Sequence, residues 1–379
     1  MEFRFSAEDE AFRQEVRAFI RAELPKVREG ESFTKKLAAR GWLTMSWPKE
    51  YGGQGAPHLR QLVYNEEMAY HRAPGQTMGA DRVGPTLILF GTEEQKAQFL
   101  PAIARDEMTW CQGFSEPGSG SDLASLQTRA VRDGDCWVIN GQKIWTSNAQ
   151  RADYMILLAR TDPDAPKHRG ITYFLVDMKL PGITVRPLVQ MTGQAGFNEV
   201  FFDDVRVPAN MVVGEVNRGW YVSTATLDFE RSGIGRVIGG LRTFEEVVAY
   251  AKATPARDSG GGTLFDRAPV RLALADVALS FEVGRLMSYR VAWMQSRGLV
   301  PNYEASMAKT FGTELHQRMA RVAYTTLGLR GQVLGGAWAP LDGQIPVTVL
   351  QAVALTIAAG TSEINRNIIA TRGLGLPRG

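Results

Sequence analysis

The sequence has few of the residues that mark secreted, metal-binding or membrane-spanning proteins. Only two cysteines occur among 379 residues, Cys111 and Cys136. This number argues against a disulfide framework and for a reducing compartment, and we expect each cysteine to lie in a strand as a small apolar residue. The four histidines are scattered and show no metal-ligand spacing. The longest apolar stretch, from Val347 to Ala359, is interrupted by polar residues and is shorter than the roughly 20 residues of a membrane span.

Motifs of other ligand-binding classes are also missing. The chain has neither a P-loop nor a G-x-G-x-x-G segment after a strand, so we do not expect a nicotinamide-dependent enzyme. The net charge is only +3 and no basic stripe is visible, which argues against binding of nucleic acid. The N-terminus, M-E-F-R-F-S-A-E-D-E, lacks the basic region and apolar core of a secretory signal peptide. We therefore expect a cytoplasmic protein that does not bind a membrane.

The first hundred residues have the periodicity of amphipathic helices. Ser6 is followed by acidic residues and fits a helix N-cap. The apolar residues that recur at helical spacing behind it are Phe12, Val16, Phe19 and Ile20. Thr92 and Gln95 have the spacing of a capping box, and the helix that they start should end near Ile103. Between these helices, the sequence P-K-E-Y-G-G at 48–53 predicts a turn.

The region from about Met108 to Val213 has the pattern of strands. Short apolar runs at 136–139, 154–158 and 171–176 are bounded by Gly, Asp or Pro. The dipeptides Asp133-Gly134 and Asn140-Gly141 both fit hairpin turns. Because no long amphipathic helix interrupts these runs, we expect an antiparallel sandwich or barrel.

Helical periodicity returns after Gly214 and continues to about Arg372, with a break at the three glycines 260–262. The whole pattern predicts an α+β protein with three domains. These are an N-terminal helical domain at 1–107, a middle β domain at 108–213 and a C-terminal helical bundle at 214–379.

A glycine- and serine-rich segment, F-S-E-P-G-S-G-S-D at 114–122, is the first candidate for ligand binding. Pro117 and the glycines cannot continue a strand, and they expose backbone N–H groups that can approach a phosphate or ribityl chain closely. Alone, the same pattern fits an ordinary turn between strands. It becomes specific in combination with Trp145-Thr146-Ser147, which follows shortly after.

Four segments together resemble acyl-CoA dehydrogenases: the one at 114–122, W-T-S-N at 145–148, T-L-D-F-E-R at 226–231 and A-A-G-T-S-E-I-N-R at 358–366. The resemblance extends along essentially the whole chain. It implies the fold of that family with a C-terminal four-helix bundle, non-covalently bound FAD, and an acyl-CoA substrate of fatty or branched acyl-CoA oxidation. It also implies electron-transfer flavoprotein or another electron acceptor as a partner, and a homodimer or homotetramer.

The resemblance also implies roles for single residues. Ser115 would hydrogen-bond the isoalloxazine edge, Ser147 would lie near flavin N5, and Trp145 would cover one flavin face. Ser121 would contact both the cofactor and the pantetheine arm of the substrate. The family more often has threonine at the positions of Ser115 and Ser147, but serine retains the hydroxyl. The other residues implied to contact FAD are Gln112, Phe114, Gly120, Arg257, Thr361 and Glu363.

The catalytic base is where this chain departs from most of the family. Most members carry it directly before the Gly-Thr pair, where this chain has Ala359. A minority, isovaleryl-CoA dehydrogenase among them, carry it in a D-L-E-R-type segment, which here is D-F-E-R at 228–231. An acid beside an arginine on a helix is otherwise typical of a solvated surface pair. Because the acid is absent from one position and present at the other, we predict that Glu230 abstracts the α-proton.

Neighbouring residues would bind the substrate. By resemblance, Asp228 lies near the CoA portion, Arg231 supports the site, and the backbone N–H of Ala359, beside Gly360, donates to the thioester carbonyl. The sequence Gly360-Thr361-Ser362 also fits a helix cap, and both interpretations can hold at once.

Two segments differ from the family in ways that concern assembly. The segment 257–261 keeps the arginine that would reach a neighbouring subunit's FAD but lacks the usual phenylalanine, and the segment 325–331 replaces a glutamine-plus-glycine motif. Both changes resemble a branch that includes bacterial steroid side-chain dehydrogenases, some of which are heteromers. The sequence leaves three alternatives open: a flavin oxidase or monooxygenase on the same fold, a non-catalytic partner subunit, and electron transfer to quinone.

Overall fold

A computed structural model describes residues 4–231, 233–256 and 261–377, except for the side chains of 28–29 and 227–231. Backbone contacts divide the chain into two compact units. The first unit joins residues 1–30, 57–74 and 231–379, and the second joins residues 31–56 and 75–230. The predicted domain boundaries at residues 107 and 213 depend on where the sequence changes between helical and strand-like patterns, and they remain predictions.

The second unit is built on one sheet in which eight strands are described. The strands are β1 (Trp110–Gly113), β2 (Arg129–Asp133), β3 (Cys136–Lys143), β4 (Tyr154–Arg160), β5 (Ile171–Asp177), β6 (Ile183–Leu188), β7 (Phe197–Pro208) and β8 (Val212–Val213). Their order is β6-β7-β3-β2-β4-β5-β8, and β1 pairs with β4. The three predicted apolar runs form β3, β4 and β5, and both cysteines lie in strands, as predicted.

Most strand pairs are antiparallel, as expected, but two are not. β1 pairs with β4 in parallel along its whole length, and β2 pairs with β4 in parallel at one position. The core of the unit includes Ile139, Met155, Leu157, Phe174 and Val176, none of which is exposed to solvent. β4 and β5 are buried over nearly all their length, which explains why they appear in the sequence as continuous apolar runs.

One of the two predicted hairpin turns is wrong. Asp133-Gly134 does connect β2 to β3, and Gly134 is left-handed, with φ of 57°. Asn140-Gly141, in contrast, lies inside β3, where the register with β7 shifts between Ile139 and Gly141. A Cβ at Gly141 would lie 2.7 Å from the Cα of Thr128. The glycine is therefore explained by this close backbone approach and an irregularity in the strand.

Short helices accompany the sheet in the second unit: α2 (Phe33–Ala39), α4 (Gly84–Phe90), α5 (Glu93–Ala104) and α6 (Gly219–Arg231), whose last residue belongs to the first unit. The predicted capping box at Thr92 and Gln95 is confirmed, with both reciprocal hydrogen bonds present. The Gln95 amide also donates to the carbonyls of Asn210 and Val212. This residue therefore fixes the start of α5 against the segment that carries β8.

The first unit is helical. Its helices are α1 (Ala7–Glu23), α3 (His58–Tyr70), α7 (Gly235–Ile238), α8 (Leu241–Ala253), α9 (Ala268–Ser296), α10 (Tyr303–Leu327), α11 (Gln344–Leu355) and α12 (Ser362–Ile368). Helix α10 packs against α8, α9 and α11, in agreement with the predicted C-terminal bundle. Ser6 caps α1, and the four apolar residues predicted to face the core are the buried ones.

Buried ion pairs hold α1 and α3 to α9 in the same unit. Arg13 donates to Glu66 at 2.8 Å and to Glu67 at 3.2 Å, and Arg17 donates to Glu67 at 2.7 Å. From α9, the Tyr289 hydroxyl donates to Glu66 at 2.9 Å. These charges line a cavity of about 370 Å³. Because both carboxylates accept several charged or polar hydrogen bonds, their burial is compensated.

The described part of the chain lacks two features, a membrane-spanning helix and a metal-binding cluster. No helix there is both long and apolar enough to cross a bilayer. Within the same residues, no group of three or more His, Cys, Asp or Glu side chains is arranged to hold a metal ion.

Candidate active site

The two segments predicted to contact a flavin leave the sheet next to each other in the second unit. The first, the Phe114 segment (residues 114–122), follows β1, which ends at Gly113. The second, the Trp145 segment (residues 145–148), follows β3, which ends at Lys143. The backbone N–H of Ile144 donates to the carbonyl of Ser115 at 2.9 Å. This bond joins the two segments directly, so the predicted residues on them form one surface.

Glu116, within the first segment, links this segment through its side chain to the residues before β2 and to the end of β3. Its carboxylate accepts hydrogen bonds from the backbone N–H of Gln127 at 2.6 Å and of Thr128 at 2.8 Å, and from the Lys143 ammonium at 2.7 Å. Only 8% of Glu116 is exposed. Burial raises the pKa of Glu116, but Lys143 and the two N–H donors outweigh it and hold the pKa below its usual range. The carboxylate is therefore charged at neutral pH.

Lys143 is the other half of this pair and is not exposed at all. Its ammonium also donates to the Phe114 carbonyl at 3.1 Å. Burial lowers the pKa of Lys143 to about 8, although the charge of Glu116 opposes this shift. Since Lys143 precedes the Trp145 segment, and both of its bonds go to residues of the Phe114 segment, the ion pair holds the two segments in register.

The Trp145 segment has an unusual backbone conformation. Trp145 and Asn148 both have left-handed φ values, 61° and 57°, which non-glycine residues rarely adopt. Asn198 on β7 stabilises this turn: its carbonyl accepts from Thr146 N–H at 3.1 Å, and its amide donates to Thr146 O at 2.9 Å. Thr146 is fully buried, whereas 59% of Trp145 is exposed. The turn thus directs the indole outward.

The resulting surface fits a flavin. Trp145, Ser121 and Ser147 are exposed, so an aromatic face and two hydroxyls are available to a ligand. Buried polar atoms without a partner among the described residues include Gln112 Oε1 and Thr146 Oγ1, and such atoms are rare unless a ligand or water satisfies them.

Other residues of the Phe114 segment are either packed into the unit or open to solvent. Phe114 is buried, edge-on to Tyr173 at 6.0 Å between ring centroids. Gly120 is exposed, and a Cβ there would meet no atom within 4 Å. Ser119 closes the turn by donating to the carbonyl of Asp122 at 3.1 Å.

Three predicted residues of the first unit, Ala359, Gly360 and Thr361, lie in the turn between α11 and α12, and Glu363 lies in the first turn of α12. Ala359 and Gly360 are both left-handed, with φ of 54° and 81°. Thr361 caps α12 by accepting from Ile364 N–H at 3.2 Å, which confirms the helix-cap interpretation. Glu363 is exposed, and hydrogen bonds from its own backbone N–H and from the Thr361 hydroxyl lower its pKa. Within the described ranges, no residue accepts a hydrogen bond from the N–H of Ala359.

Several predicted residues lie outside the described part of the chain. Glu230, Asp228 and Arg231 belong to α6, but their side chains are not described, and Arg257 is not described at all. The backbone of α6 is fixed one turn earlier. There, the buried hydroxyl of Thr226 hydrogen-bonds that of Thr86 on α4 at 2.8 Å.

Sequence reasoning missed the residues that support the site. Glu116, Lys143 and Asn198 in the second unit were not predicted, nor were Lys309 and Asn365 in the first. One signal was available: Lys143 is a charged residue at the end of an otherwise strand-like run, two residues before Trp145. For Asn198, Lys309 and Asn365, whose partners lie far away or across a turn, the sequence shows no such signal.

Comparison with known proteins agrees with this geometry. Three family models match: the N-terminal domain of acyl-CoA dehydrogenase at residues 6–107, the middle domain at 111–205 and the C-terminal domain at 217–374. Acyl-CoA dehydrogenase IpdE1 of Mycobacterium tuberculosis is 40% identical over 360 residues, which cover 92% of this chain and 89% of that protein.

Solved structures give the same result. The Tcur3481-Tcur3483 steroid ACAD is similar with a TM-score of 0.90 and 37% identity, and all of both chains is covered. The ChsE4-ChsE5 complex from Mycobacterium tuberculosis is similar with a TM-score of 0.89 and 38% identity, again over all of both chains. The sequence segments, the fold and these similarities lead to one conclusion: the chain belongs to the acyl-CoA dehydrogenase family of flavoprotein oxidoreductases.

Proposed function

We propose that this chain binds FAD and catalyses the α,β-dehydrogenation of an acyl-CoA thioester to a trans-2-enoyl-CoA, with Glu230 as the base. The observation that carries the proposal is the joined surface of the second unit. There the Ser115–Ile144 hydrogen bond and the Glu116–Lys143 ion pair hold the Phe114 and Trp145 segments together. An exposed indole beside exposed hydroxyls is suited to a flat, polar-edged cofactor.

The chain's own residues would hold the cofactor in the following way. Trp145 would stack on one face of the ring, while Ser115, Ser147 and Gln112 would provide hydrogen bonds at its edge. When bound, the flavin supplies the redox chemistry by accepting the hydride from the substrate β-carbon. The protein's contribution is to orient the thioester and to remove its α-proton.

Glu230 is the proposed base because the position used by most of the family holds alanine. An α-proton of a thioester is weakly acidic, so its removal requires a carboxylate near it and a donor on the carbonyl. We propose that the backbone N–H of Ala359 is this donor. Alanine keeps the N–H that a glutamate would have, and no described residue competes for it.

The similarity to a steroid ACAD supports a CoA thioester of a steroid side chain as the substrate, in preference to a straight fatty acyl chain. ChsE4-ChsE5 is a complex of two proteins, and the name of the Tcur3481-Tcur3483 steroid ACAD likewise joins two proteins. This supports assembly of the present chain with a second, related chain, as does the departure of the segment 257–261 from the family pattern.

The decisive experiment is anaerobic flavin reduction by a panel of acyl-CoAs with the wild type, Glu230→Gln and the matched control Asp228→Asn. Losing a positioned base costs about 10²–10⁴ in rate, so Glu230→Gln should bleach its flavin at least about 10²-fold more slowly. Asp228→Asn, which changes an acid in the same helix that is implied to lie near the CoA portion, should retain the chemical step at saturating acyl-CoA. Flavin content measured by absorbance provides the internal control for both variants.

Each other outcome has a defined meaning. Equal rates in Glu230→Gln and wild type would show that another group is the base. Rapid reoxidation of the reduced flavin by oxygen would support an oxidase. A colourless chain that cannot be reconstituted with FAD would contradict the proposal and would support a non-catalytic subunit instead. Reduction by straight-chain acyl-CoAs alone would contradict the steroid assignment but leave the reaction intact.

A further inference from the structure

The carbonyl of Gly360 is held by two side chains of the first unit. The Lys309 ammonium, on α10, donates to it at 2.6 Å, and the Asn365 amide, on α12, donates to it at 2.8 Å. The same amide also donates to the carbonyl of Thr361 at 3.0 Å. Two consecutive carbonyls of the turn therefore face donors that belong to the packed helices.

Both donors are deeply buried. Each of Lys309 and Asn365 is only 1% exposed. A hydrogen bond from an ammonium is roughly twice as strong as a neutral one, and it is screened little in a buried site. Lysine is almost never buried to this degree unless it is paired, and the Gly360 carbonyl is one partner of Lys309.

The turn that these residues hold is one that a free chain would not favour. Ala359 is a non-glycine residue with φ of 54°, and it is followed by a second left-handed residue. Such a conformation persists only where the surroundings impose it. At Gly360 the packing is already close, because a Cβ there would lie 3.1 Å from the Asn365 amide nitrogen.

The conformation determines where the Ala359 N–H points. Just after α11 ends, the N–H of Ala358 still donates to the carbonyl of Ala354 at 3.0 Å, and this is the last helix-like hydrogen bond before the turn. The next backbone donor with an acceptor is Ser362 N, which donates to Thr356 O at 2.9 Å. Between them, the left-handed turn carries N–H groups that no described residue uses, the first of which belongs to Ala359.

We infer that Lys309, together with Asn365, is a positioning residue that fixes the Ala359–Gly360 turn and thereby aims the Ala359 N–H at the thioester carbonyl. This inference rests on the proposed function, in which that N–H stabilises the enolate. Lys309 does not touch the substrate in this scheme. It acts through the Gly360 carbonyl, so its removal should weaken polarisation of the thioester more than binding of CoA.

The test uses the flavin-loaded protein and acetoacetyl-CoA, a β-keto thioester whose enolate absorbs in the ultraviolet. Donors on its carbonyl lower the pKa at which the bound ligand forms the enolate. Lys309→Met removes the hydrogen bond and the charge, and Lys309→Gln removes the charge but retains an amide donor. Asn365→Ala removes the second donor. Gln317→Leu is the matched control, since Gln317 also links α10 to this region, by donating to the Thr356 hydroxyl at 2.9 Å, but donates no hydrogen bond to residues 359–361.

We expect Lys309→Met to raise the pKa of bound acetoacetyl-CoA by about one unit, equivalent to about tenfold in the enolate equilibrium. Misplacement of a catalytic group by about 1 Å costs about 10²-fold, so kcat for the preferred acyl-CoA should fall by up to that factor while KM changes little. Lys309→Gln and Asn365→Ala should show smaller effects in the same direction, and Gln317→Leu should behave as wild type.

The possible failures are distinguishable. If the wild type does not lower the pKa of acetoacetyl-CoA, the proposed function is contradicted. If the wild type lowers it and the Lys309 and Asn365 variants lower it equally, the positioning role is wrong. A lowered melting temperature with an unchanged enolate equilibrium would assign Lys309 a purely structural role and would also overturn the inference. If Lys309→Met does not fold, Lys309→Gln and Asn365→Ala decide the question.

Discussion

Glu116→Gln is the substitution for which the structure permits the most detailed prediction. The wild-type carboxylate accepts from three donors, which are two backbone N–H groups and the Lys143 ammonium. A glutamine amide has one acceptor oxygen and one NH₂ group, so at least one of these donors would face another donor. Leaving a buried donor without an acceptor costs about 1–3 kcal/mol.

The lost charge adds a second contribution, which Lys143 itself limits. With a pKa of about 8, the Lys143 ammonium at pH 7 is only about 1 kcal/mol more stable than the neutral amine. When Glu116 is lost, Lys143 can release its proton, so the free-energy cost of the missing charge cannot exceed this difference. The expected total at pH 7 is about 2–4 kcal/mol, near the lower end of the 3–5 kcal/mol typical of broken buried pairs.

The stability of the wild type and the destabilisation of Glu116→Gln should both depend on pH through Lys143. Because the folded pKa of Lys143 lies below its ordinary value of 10.5, the unfolded chain binds more protons between about pH 8 and 10.5, and wild-type stability due to this residue rises over that window. In Glu116→Gln the pKa falls further, so the rise begins at lower pH. The destabilisation should therefore shrink by about 1 kcal/mol between about pH 7 and 9.

Urea denaturation of the apoprotein at several pH values measures this effect, with near-ultraviolet circular dichroism as the probe. Hydrogen exchange at the amides of Gln127 and Thr128 reports the local loss directly. In a Lys143→Met background, Glu116→Gln should lose the pH-dependent part, because the titrating group is gone. A destabilisation that is constant from about pH 6 to 9, or a variant as stable as wild type, would refute the reasoning.

Two other substitutions test the packing of each unit by urea denaturation. Gly84→Ala should cost about 1–3 kcal/mol by overpacking, because the new Cβ would lie 1.9 Å from Trp47 Cζ2. The control Gly120→Ala should be neutral, because a Cβ there meets no atom within 4 Å. Equal urea midpoints for the two variants would contradict this packing. Glu67→Gln should cost about 1–3 kcal/mol near neutral pH, since Arg13 and the partly exposed Arg17 lose a charged acceptor. Burial raises the pKa of Glu67, but hydrogen bonds such as that from Arg17 outweigh it and leave the pKa below its ordinary value of 4.5. The stability that the Glu67 carboxylate contributes is therefore lost as pH falls through its pKa in the folded protein. A difference between wild type and Glu67→Gln that persists in acid would contradict this role of Glu67.

Local structure was predictable where a few neighbouring residues determine it. The Ser6 cap, the capping box at Thr92 and the buried face of α1 all depend on contacts within one or two turns, and all three are confirmed. The Asn140-Gly141 prediction was wrong because the glycine is required by Thr128, a residue on another segment. Likewise, the parallel pairing of β1 with β4 depends on a partner about forty residues away along the chain, and no local pattern specifies it.

The candidate site divides in the same way. Exposed residues such as Trp145 and Ser121 could be identified because they lie in recognisable segments. The supporting residues could not, because their roles depend on distant partners: Asn198 stabilises the Trp145 turn from β7, and Lys309 holds Gly360 from α10. A buried lysine resembles a surface lysine in the sequence, and only the fold shows which of the two it is.

This division also explains how the catalytic acid could be relocated without loss of the site. A glutamate before the Gly-Thr pair would supply both a carboxylate and a backbone N–H, but the two groups depend on different features of the structure. The carboxylate depends on the side chain at position 359, whereas the N–H depends on the left-handed turn, which Lys309 and Asn365 hold through the neighbouring carbonyls. Alanine at 359 therefore removes the first group and leaves the second. With the donor retained, the proposed chemistry still requires a carboxylate that accepts the α-proton, and this is the role that we propose for Glu230.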